Sequence, residues 1–306
     1  MNRVKRVIRA TPDQTAPYTG AGVTAALLDT GFSLHPDLTG RLAAFKDFLS
    51  ESKLPYDDSG HGTHVAGCLC GSGLCSGRLY GGVAPGCRIL SCKVLNAKGE
   101  GSVNDMIAAI RHVLDTRRMY RTRILSISVG VGKIEEKNSQ EKLISWLEEA
   151  WAAGLLVVVA AGNKGPVPDS LSPLGAGNHV ICVGCHDGKH FPDRRNSCES
   201  YSGRGPAGNR LRKPDIVSPG TGVVSCSSAF RLTRSRKVLN PYTVKSGTSM
   251  SVPAVSGAAA LLWEKYPAFT NEQIRERLLF CAQDLGEEWG KQGWGMLDVS
   301  RALTGR

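Results

Sequence analysis

Short apolar runs alternate with longer amphipathic stretches along most of this 306-residue chain, and this alternation limits the fold more than any other feature. The apolar runs that we predict as strands cover residues 23–28, 88–94, 124–130, 155–160, 180–184 and 216–217. Predicted helices begin at His61 and at Ser249, the latter continuing through the apolar run 254–263, and others cover residues 102–117, 138–153, 271–282 and 298–303. Strands that alternate with helices form βαβ units, in which the strands run parallel. The sequence therefore predicts an α/β fold with a mainly parallel sheet.

The bulk composition is that of a soluble globular protein. Hydrophobic residues make up 41% of the chain and charged residues 21%, and no apolar run approaches the roughly 20 residues that span a bilayer. The net charge of +11 sits in local basic runs, while aromatic residues that could stack on bases amount to only 6%. We therefore expect neither a nucleic-acid partner nor a membrane partner, and we assign the basic runs to solvated loops.

The cysteines and the N-terminus both bear on the cellular compartment. The basic segment 1–9 is not followed by the apolar region of a secretory signal. The ten cysteines show no familiar zinc spacing, and Cys182 and Cys185 would point to opposite faces of a strand. We interpret the cysteines as structural thiols and predict a cytoplasmic protein, unless a precursor segment is removed on secretion.

Segment 245–257 places a serine at the start of a buried helix. Small residues crowd the approach to Ser249, and an apolar, alanine-rich run follows it. Pro253 favours the first turn of a helix, where its missing N–H removes no intrahelical hydrogen bond. Free N–H groups and the positive end of the helix dipole would then face an oxyanion formed beside Ser249. From this stretch alone, a serine that merely caps the helix is the alternative.

Two further polar residues stand where catalytic groups gather in α/β proteins. Asp29 follows the strand 23–28, so it would lie at the carboxyl edge of the sheet, although a cap or turn role is equally compatible. His61 would open a helix and is our functional histidine, whereas His64, almost a turn later, is predicted to be packed and hydrogen-bonded. A serine nucleophile needs a base, and the base needs an orienting group. Asp29, His61 and Ser249 supply these three roles.

The segments around these residues resemble the three signature blocks of the subtilisin-like serine proteases. The blocks are residues 28–31, 60–67 and 247–250, in the order Asp, His, Ser that is typical of subtilisin. The likeness extends from about residue 18 to residue 303. Segments 93–96, 149–154 and 213–216 also resemble the intracellular alkaline subtilases of bacteria.

This resemblance implies a three-layer α/β fold, in which helices cover both faces of a twisted, mainly parallel sheet. The chain has no internal repeat and no linker typical of a domain boundary. We therefore expect a single peptidase domain over residues 1–306, with its core at about 18–303, and a monomer.

The resemblance also implies a serine endopeptidase that acts on polypeptides through an acyl-enzyme. In this mechanism Ser249 attacks the peptide carbonyl, His61 transfers the proton to the leaving amine, and Asp29 stays ionised and orients His61. Asn163 matches the oxyanion-hole asparagine of the family, and the alternative for this residue is a turn position.

Two segments match the edges that bind the substrate backbone and form the walls of the first specificity pocket. Their residues are Ser128, Val129, Gly130, Ala160, Ala161 and Gly162. An extended peptide would lie between the two segments as an added strand. The small side chains favour a large apolar residue before the cleaved bond.

The sequence departs from the family pattern at two places. Ala254 stands where many relatives have His, outside the triad, so we expect altered packing rather than lost activity. Asp37 matches a calcium ligand of secreted relatives, but loop 73–78 lacks the asparagine of the family. Calcium needs six to eight oxygen ligands. We therefore predict no metal ligand and no cofactor, and we leave weak calcium binding open.

Two other functions compete with hydrolysis. A peptide-joining relative would use the same acyl-enzyme with an amine acceptor, but it needs a lid that excludes water, and no long insertion is obvious. A protein that binds peptides without cleaving them has no need of Asp29, His61, Asn163 and Ser249 together.

Overall fold

The computed structural model describes residues 1–50, 52–129, 137–188, 191, 197–206, 212–235 and 237–305. Its strands are β1 (Thr24–Asp29), β2 (Leu42–Asp47), β3 (Arg88–Lys93), β4 (Thr122–Ile127), β5 (Leu156–Ala160), β6 (Ile181–Cys185), β7 (Ile216–Ser218), β8 (Val223–Cys226), β9 (Arg231–Leu232), β10 (Val238–Leu239) and β11 (Tyr242–Lys245). Its helices are α1 (Asn2–Val7), α2 (Pro12–Thr15), α3 (His61–Cys70), α4 (Val103–Tyr120), α5 (Lys137–Ala152), α6 (Thr248–Lys265), α7 (Asn271–Phe280), α8 (Trp289–Gln292) and α9 (Val299–Thr304).

Strands β1 to β7 form one sheet in the order β2-β3-β1-β4-β5-β6-β7, and every neighbouring pair is parallel. The chain leaves β1 towards β3 on one side and later returns to β4 on the other. In such a sheet the loops diverge at this switch point and leave a crevice at the carboxyl ends of the strands. Asp29 is the last residue of β1 and therefore lies at this crevice.

The helices form two packed groups against the sheet. Helices α4 and α5 contact each other and pack on β1, β4 and β5, while α3 and α6 form a second pair. Helix α6 contacts β4, β5, β6 and β7, and it is buried along almost its whole length. Small residues such as Ala258, Ala259 and Ala260 let it lie close to the sheet. The predicted α/β fold with a parallel sheet is confirmed, and among the described residues no helix is long and apolar enough to cross a membrane.

Several short elements were missed by the sequence analysis. Strand β2 lies at the sheet edge and is only half-buried, so its apolar pattern is broken by Lys46. Segment 227–237 contains β9, which pairs antiparallel with β10. Strands β8 and β11 form a second antiparallel pair. Strands of two to four residues carry too little periodicity to be recognised from sequence.

The start of α6 differs from the prediction in one detail. The helix begins at Thr248, so Ser249 does lie in its first turn, as predicted. Pro253 instead lies inside the helix, beyond the first turn. Its missing N–H leaves the carbonyl of Ser249 without the usual intrahelical donor.

The interpretation of all ten cysteines as thiols was wrong for two of them. Cys185 and Cys198 are fully buried and form a disulfide, with their Cα atoms 5.5 Å apart. The sequence analysis weighed only closely spaced cysteines, whereas this pair joins β6 to a segment 13 residues later. The other eight cysteines are free, and Cys182 does not pair with Cys185.

Candidate active site

Asp29 and His61 form a hydrogen-bonded pair at the sheet edge. Nδ1 of His61 lies 2.7 Å from Oδ1 of Asp29, and the backbone N–H of Thr30 donates to the same oxygen at 2.8 Å. The Asp29 side chain is almost fully buried, while that of His61 is 22% exposed. The carboxylate is therefore held inside the protein, and the imidazole reaches from it to the surface of the crevice.

Two glycines permit this contact. A Cβ atom on Gly62 would lie 2.3 Å from the carbonyl oxygen of Gly31, and one on Gly31 would lie 2.1 Å from that of Tyr56. Real Cβ atoms do not approach backbone oxygens so closely, so both positions need glycine. The segment after β1 can therefore touch the first turn of α3 directly.

Asp57 fixes the start of α3. Its Oδ1 accepts hydrogen bonds from the backbone N–H of Gly60 at 2.7 Å and from Oγ1 of Thr30 at 2.8 Å. Its Oδ2 accepts from both the backbone N–H and Oγ1 of Thr63. A carboxylate at the positive end of a helix is stabilising. Because Thr30 also accepts from the N–H of Gly62 at 2.9 Å, the network ties the residue after Asp29 to α3.

A buried lysine on β3 forms hydrogen bonds with the segments around Asp29 and the start of α3. Nζ of Lys93 donates to the carbonyl oxygens of Thr30 and Leu95 at 2.6 and 2.9 Å, and to Oδ1 of Asp58 at 2.7 Å. The Lys93 side chain is 1% exposed. In the sheet, Lys93 on β3 is the register partner of Asp29 on β1. All three ammonium hydrogens are thus used to hold the segments that carry Asp29 and His61.

The electrostatics of His61 suit a general base. Burial of the ring lowers its pKa, but the charge and hydrogen bond of Asp29 outweigh burial, so the pKa is raised above its ordinary value of 6.5. The positive charge of Lys245, the last residue of β11, acts in the opposite direction and lowers this pKa. Strand β11 leads directly into α6, whose first turn carries Ser249, and α6 packs against α3, which begins with His61.

His64 has the structural role that the sequence predicted. It is fully buried, its Nε2 lies 2.9 Å from the carbonyl oxygen of Val223, and its Nδ1 lies 3.7 Å from Sγ of Cys68. Burial lowers the pKa of His64 to about 3, so the ring stays neutral. The Nε2–H tautomer satisfies both contacts.

Ser249 and Asn163 meet on the other side of the crevice. The backbone N–H and Oγ1 of Thr248 donate to Oδ1 of Asn163 at 3.0 and 3.1 Å. A backbone N–H can only donate, so this contact assigns the amide oxygen to Thr248 and leaves Nδ2 on the opposite side. A Cβ on Gly247 would lie 3.4 Å from Nδ2 of Asn163 and 3.8 Å from the backbone nitrogen of Ser249. Gly247, with φ of 145°, therefore keeps open a space that two N–H donors border.

The six residues of the predicted substrate edges lie after β4 and at the end of β5. Ser128 is buried and its Oγ has no partner among the described residues, Val129 is half-buried, and Gly130 lies outside the described residues. The N–H of Ala161 donates to Val183, and its carbonyl accepts from Ser172. The carbonyl of Gly162 accepts from Gly203.

These backbone bonds limit what the β5 side can do. Ala160 is the last residue of β5. The N–H and carbonyl of Ala161 and the carbonyl of Gly162 already form hydrogen bonds within the protein. This side is therefore suited to form a wall of the pocket rather than to pair with a peptide. The segment after β4, which begins with Ser128, is the better candidate for pairing with an extended peptide.

Three side chains around Asp37 have the residue types and the spacing of a metal site. Ligand atoms of His35, Asp37 and Cys226 lie within 4.8 Å of one another and are buried. However, Nε2 of His35 lies 2.7 Å from a carbonyl oxygen and Nδ1 accepts the N–H of Asp37. The Asp37 carboxylate accepts from the N–H of Cys75 at 2.9 Å and from the hydroxyl of Tyr242 at 2.6 Å. Protein donors therefore already surround the carboxylate, and the absence of a tight calcium site stays a prediction.

Three residues of the site were not singled out from the sequence for their roles. Asp57 precedes a predicted helix start, which is a recognised capping signal. Lys93 lies in a run otherwise typical of a fully buried strand, where a lysine needs partners. Nothing in the sequence around Lys245 indicates that its charge acts on His61, because that effect depends on how β11 packs in the fold.

Comparison with known proteins agrees with this geometry. Residues 20–295 match the Subtilase family of peptidase family S8. Serine protease AprX of Bacillus subtilis (strain 168) is 38% identical over 269 residues, which are 85% of this chain and 61% of AprX. The chain thus spans less than two thirds of that relative.

Two further matches cover nearly the whole chain. Subtilisin Savinase of Lederbergia lenta is 35% identical over 284 residues, 93% of this chain and 91% of that protein. The solved structure of Sphericase shares the fold with a TM-score of 0.80 at 30% identity, and the match covers 97% of both chains. The predicted family, fold and enzyme class are confirmed: the chain belongs to the subtilase family of subtilisin-like serine endopeptidases.

Proposed function

We propose that this chain hydrolyses peptide bonds through attack by Ser249, with His61 as general base and Asp29 as its orienting group. The observation that carries the proposal is the 2.7 Å contact between Oδ1 of Asp29 and Nδ1 of His61. A carboxylate at Nδ1 favours the tautomer whose Nε2 accepts a proton. The buried charge of Asp29 then stabilises the imidazolium that forms when Ser249 attacks.

The oxyanion is stabilised in this proposal by the backbone N–H of Ser249 and by Nδ2 of Asn163. The support is the space beside Gly247, which those two nitrogens border. The hydrogen bonds from Thr248 hold the amide of Asn163 in advance, so little reorganisation accompanies the reaction. His61 then returns the proton to the leaving amine, and water hydrolyses the acyl-enzyme.

For the substrate we propose flexible polypeptides with a large apolar residue before the cleaved bond. The walls at Ala160, Ala161 and Gly162 are small and uncharged, which leaves room for such a side chain. Main-chain pairing along the segment that begins at Ser128 would supply affinity that depends little on sequence. Because most of the affinity would come from the substrate main chain and only one pocket would select a side chain, we propose a broad specificity.

We further propose that activity needs no metal or other cofactor. The support is that both carboxylate oxygens of Asp37 already accept hydrogen bonds from the protein. Activity should therefore be the same in EDTA and in millimolar calcium. A large loss in EDTA that calcium restores would contradict this part of the proposal.

For the location we propose the cytoplasm, supported by the eight free cysteines, seven of which are buried. Thiols persist in reducing compartments. The disulfide between Cys185 and Cys198 argues in the other direction, since such bonds form in oxidising surroundings. Fractionation of producing cells, with blotting of both fractions, decides between the two compartments.

The function is tested with casein and with quenched fluorescent peptides, comparing the wild type with Ser249→Ala. We expect cleavage by the wild type only, with products mapped by mass spectrometry after large apolar residues. Joined peptides in place of free ends would indicate aminolysis of the acyl-enzyme. Binding without cleavage by folded wild type would overturn the proposal.

A further inference from the structure

A second site lies away from the crevice, where the N-terminal segment meets the loop that follows α3. Here the structure encloses a cavity of about 600 Å³, which we call the basic cavity. Its lining includes the basic side chains of Lys5, Arg41 and Arg78 and contains no Asp or Glu. Sites for small molecules commonly measure about 300–1,000 Å³. The basic cavity therefore has the size of a ligand site and only one sign of charge.

Lys5 is the unusual member of this group. The residue is 8% exposed, yet its ammonium makes no hydrogen bond or ion pair with any part of the chain that the structure describes. Burial lowers the pKa of Lys5, and no neighbouring acid compensates. The ammonium nitrogen itself is not fully buried, so it presents its charge to the cavity, where an anionic ligand would pair with it.

Arg41 is a second basic side chain of the lining. It stands just before β2 and is half-buried, and its Nε is buried without a partner within the described ranges. Arg78 is exposed at the rim and likewise makes no ion pair there. A guanidinium presents donors in a planar fork that matches the oxygens of carboxylate and phosphate groups.

Three other buried or half-buried cations are paired with acids. Lys93 contacts Asp58 at 2.7 Å, Lys213 contacts Asp215 at 2.6 Å, and Arg3 contacts Asp187 at 3.0 Å. Each of these three cations has a counter-charge within the chain, whereas no acid lines the basic cavity.

The acids on the segments that flank the basic cavity are already committed elsewhere. The carboxylate of Asp37 accepts from Cys75 and Tyr242. Glu264 accepts the N–H groups of Thr19, Gly20 and Ala21 through one oxygen. Neither lines the basic cavity, and no other acid of the described residues lines it, so the cavity itself supplies no counter-charge for Lys5 and Arg41.

We propose that the basic cavity binds a small, multiply charged oxyanion, either a phosphate or a di- or tricarboxylate. The anion would be held between Lys5 of the N-terminal segment and Arg41, with Arg78 at the entrance. Because these residues lie on separate parts of the chain, the bound anion crosslinks the N-terminal segment to the segment before β2 and, through Arg78, to the loop that follows α3. A ligand that binds only the folded state raises its stability in proportion to occupancy.

The test uses the full chain carrying Ser249→Ala, so that self-cleavage cannot distort the measurement. Thermal unfolding is followed during titration with sodium phosphate or sodium citrate, at an ionic strength held constant with sodium chloride. We expect saturable increases in Tm with phosphate, citrate or both, and none with chloride. A response to citrate alone identifies a polycarboxylate ligand, and a response to phosphate alone identifies a phosphate ligand.

Variants then locate the effect. Lys5→Met removes the buried charge, so it should raise or preserve Tm in chloride and abolish the response to the anion. Arg41→Gln should weaken the apparent affinity by about tenfold, the expected loss of one charge-assisted hydrogen bond. Lys98→Met and Arg234→Gln remove single exposed charges and should leave the response intact. An equal response in Lys5→Met and in the wild type would overturn the proposal.

Equilibrium dialysis with radiolabelled phosphate and with radiolabelled citrate covers the case in which Lys5→Met fails to fold. We expect one bound anion per chain, lost or weakened in Arg41→Gln. No binding of either anion to the folded wild-type chain would equally contradict the proposal. Because both readouts are independent of catalysis, failure here says nothing against the proposed peptidase function.

Discussion

The catalytic crevice and the basic cavity treat buried charge in opposite ways. At the crevice each buried ion has partners within the chain: Asp29 with His61 and Thr30, and Lys93 with three oxygens. In the basic cavity no acid lines the walls, and Nε of Arg41 is buried without a partner among the described residues. From this difference we infer that the crevice is organised before the substrate binds, whereas in the basic cavity a bound anion supplies the missing counter-charge. Four predictions probe the first half of this comparison.

The largest effect should come from Asp29→Asn. An asparagine at this position keeps the shape but favours the wrong imidazole tautomer, so kcat should fall about 10⁴-fold. Steady-state kinetics on a quenched peptide measures the loss, and Asp115→Asn, an exposed change of the same kind, should be silent. A decrease of less than tenfold would break the claim that Asp29 organises His61.

Asn163→Ala should have the next largest effect. The loss of one oxyanion donor should lower kcat about 10²–10³-fold with little change in KM, a magnitude known from subtilisin, itself a member of this family. Asn104→Ala on the exposed face of α4 is the matched control. An increase in KM at constant kcat would instead mean that Asn163 binds substrate in the ground state.

Lys93→Met tests whether the hydrogen bonds of the Lys93 ammonium stabilise the fold around the crevice. Two buried carbonyl oxygens, those of Thr30 and Leu95, would lose a charged donor, so the free energy of unfolding should decrease by about 3 kcal/mol. Urea unfolding in the Ser249→Ala background measures this, with Lys142→Met as an exposed control. Stability within error of the control would show that the crevice does not depend on internal pairing.

The smallest effect concerns the pH dependence of catalysis. Since His61 must be neutral to accept a proton and its pKa is raised, kcat/KM should fall as pH decreases through a value above 6.5. Lys245 lowers this pKa, so Lys245→Met should move the acid limb further upward, while Lys142→Met should not. An unchanged or lowered limb in Lys245→Met would contradict the effect of the Lys245 charge on His61.

The same pKa shift has a defined effect on stability. Because the folded protein holds the His61 proton more tightly than the unfolded chain does, protonation stabilises the fold. This contribution is complete below the ordinary pKa of 6.5 and is lost as pH rises through the raised value. Catalysis and this stabilisation therefore change in opposite directions across that pH window.

The sequence was informative where chemistry and periodicity change at the same residue. Asp29 ends a buried strand, and His61 and Ser249 each open a helix, so residue type and position indicated the same roles. The order of the strands in the sheet was not predicted, and the separate pair β8 and β11 was missed because such short strands carry almost no pattern. Distances between these residues could not be predicted, since they depend on packing.

Long-range features escaped for a single physical reason. The disulfide joins Cys185 to Cys198, and the basic cavity joins Lys5 to Arg41 and Arg78, through the tertiary fold rather than through local sequence. No spacing rule connects such residues. Their roles became visible only through burial and through the presence or absence of partners.

The central claim is that Ser249 is an activated nucleophile in a crevice organised by the chain itself. It is tested most directly by incubating the purified protein with an organophosphonate probe and measuring the intact mass, beside Ser249→Ala and Asp29→Asn. The account predicts one adduct per wild-type chain, none on Ser249→Ala and much slower labelling of Asp29→Asn. Folded wild-type protein that forms no adduct, or an adduct that persists in Ser249→Ala, would contradict it.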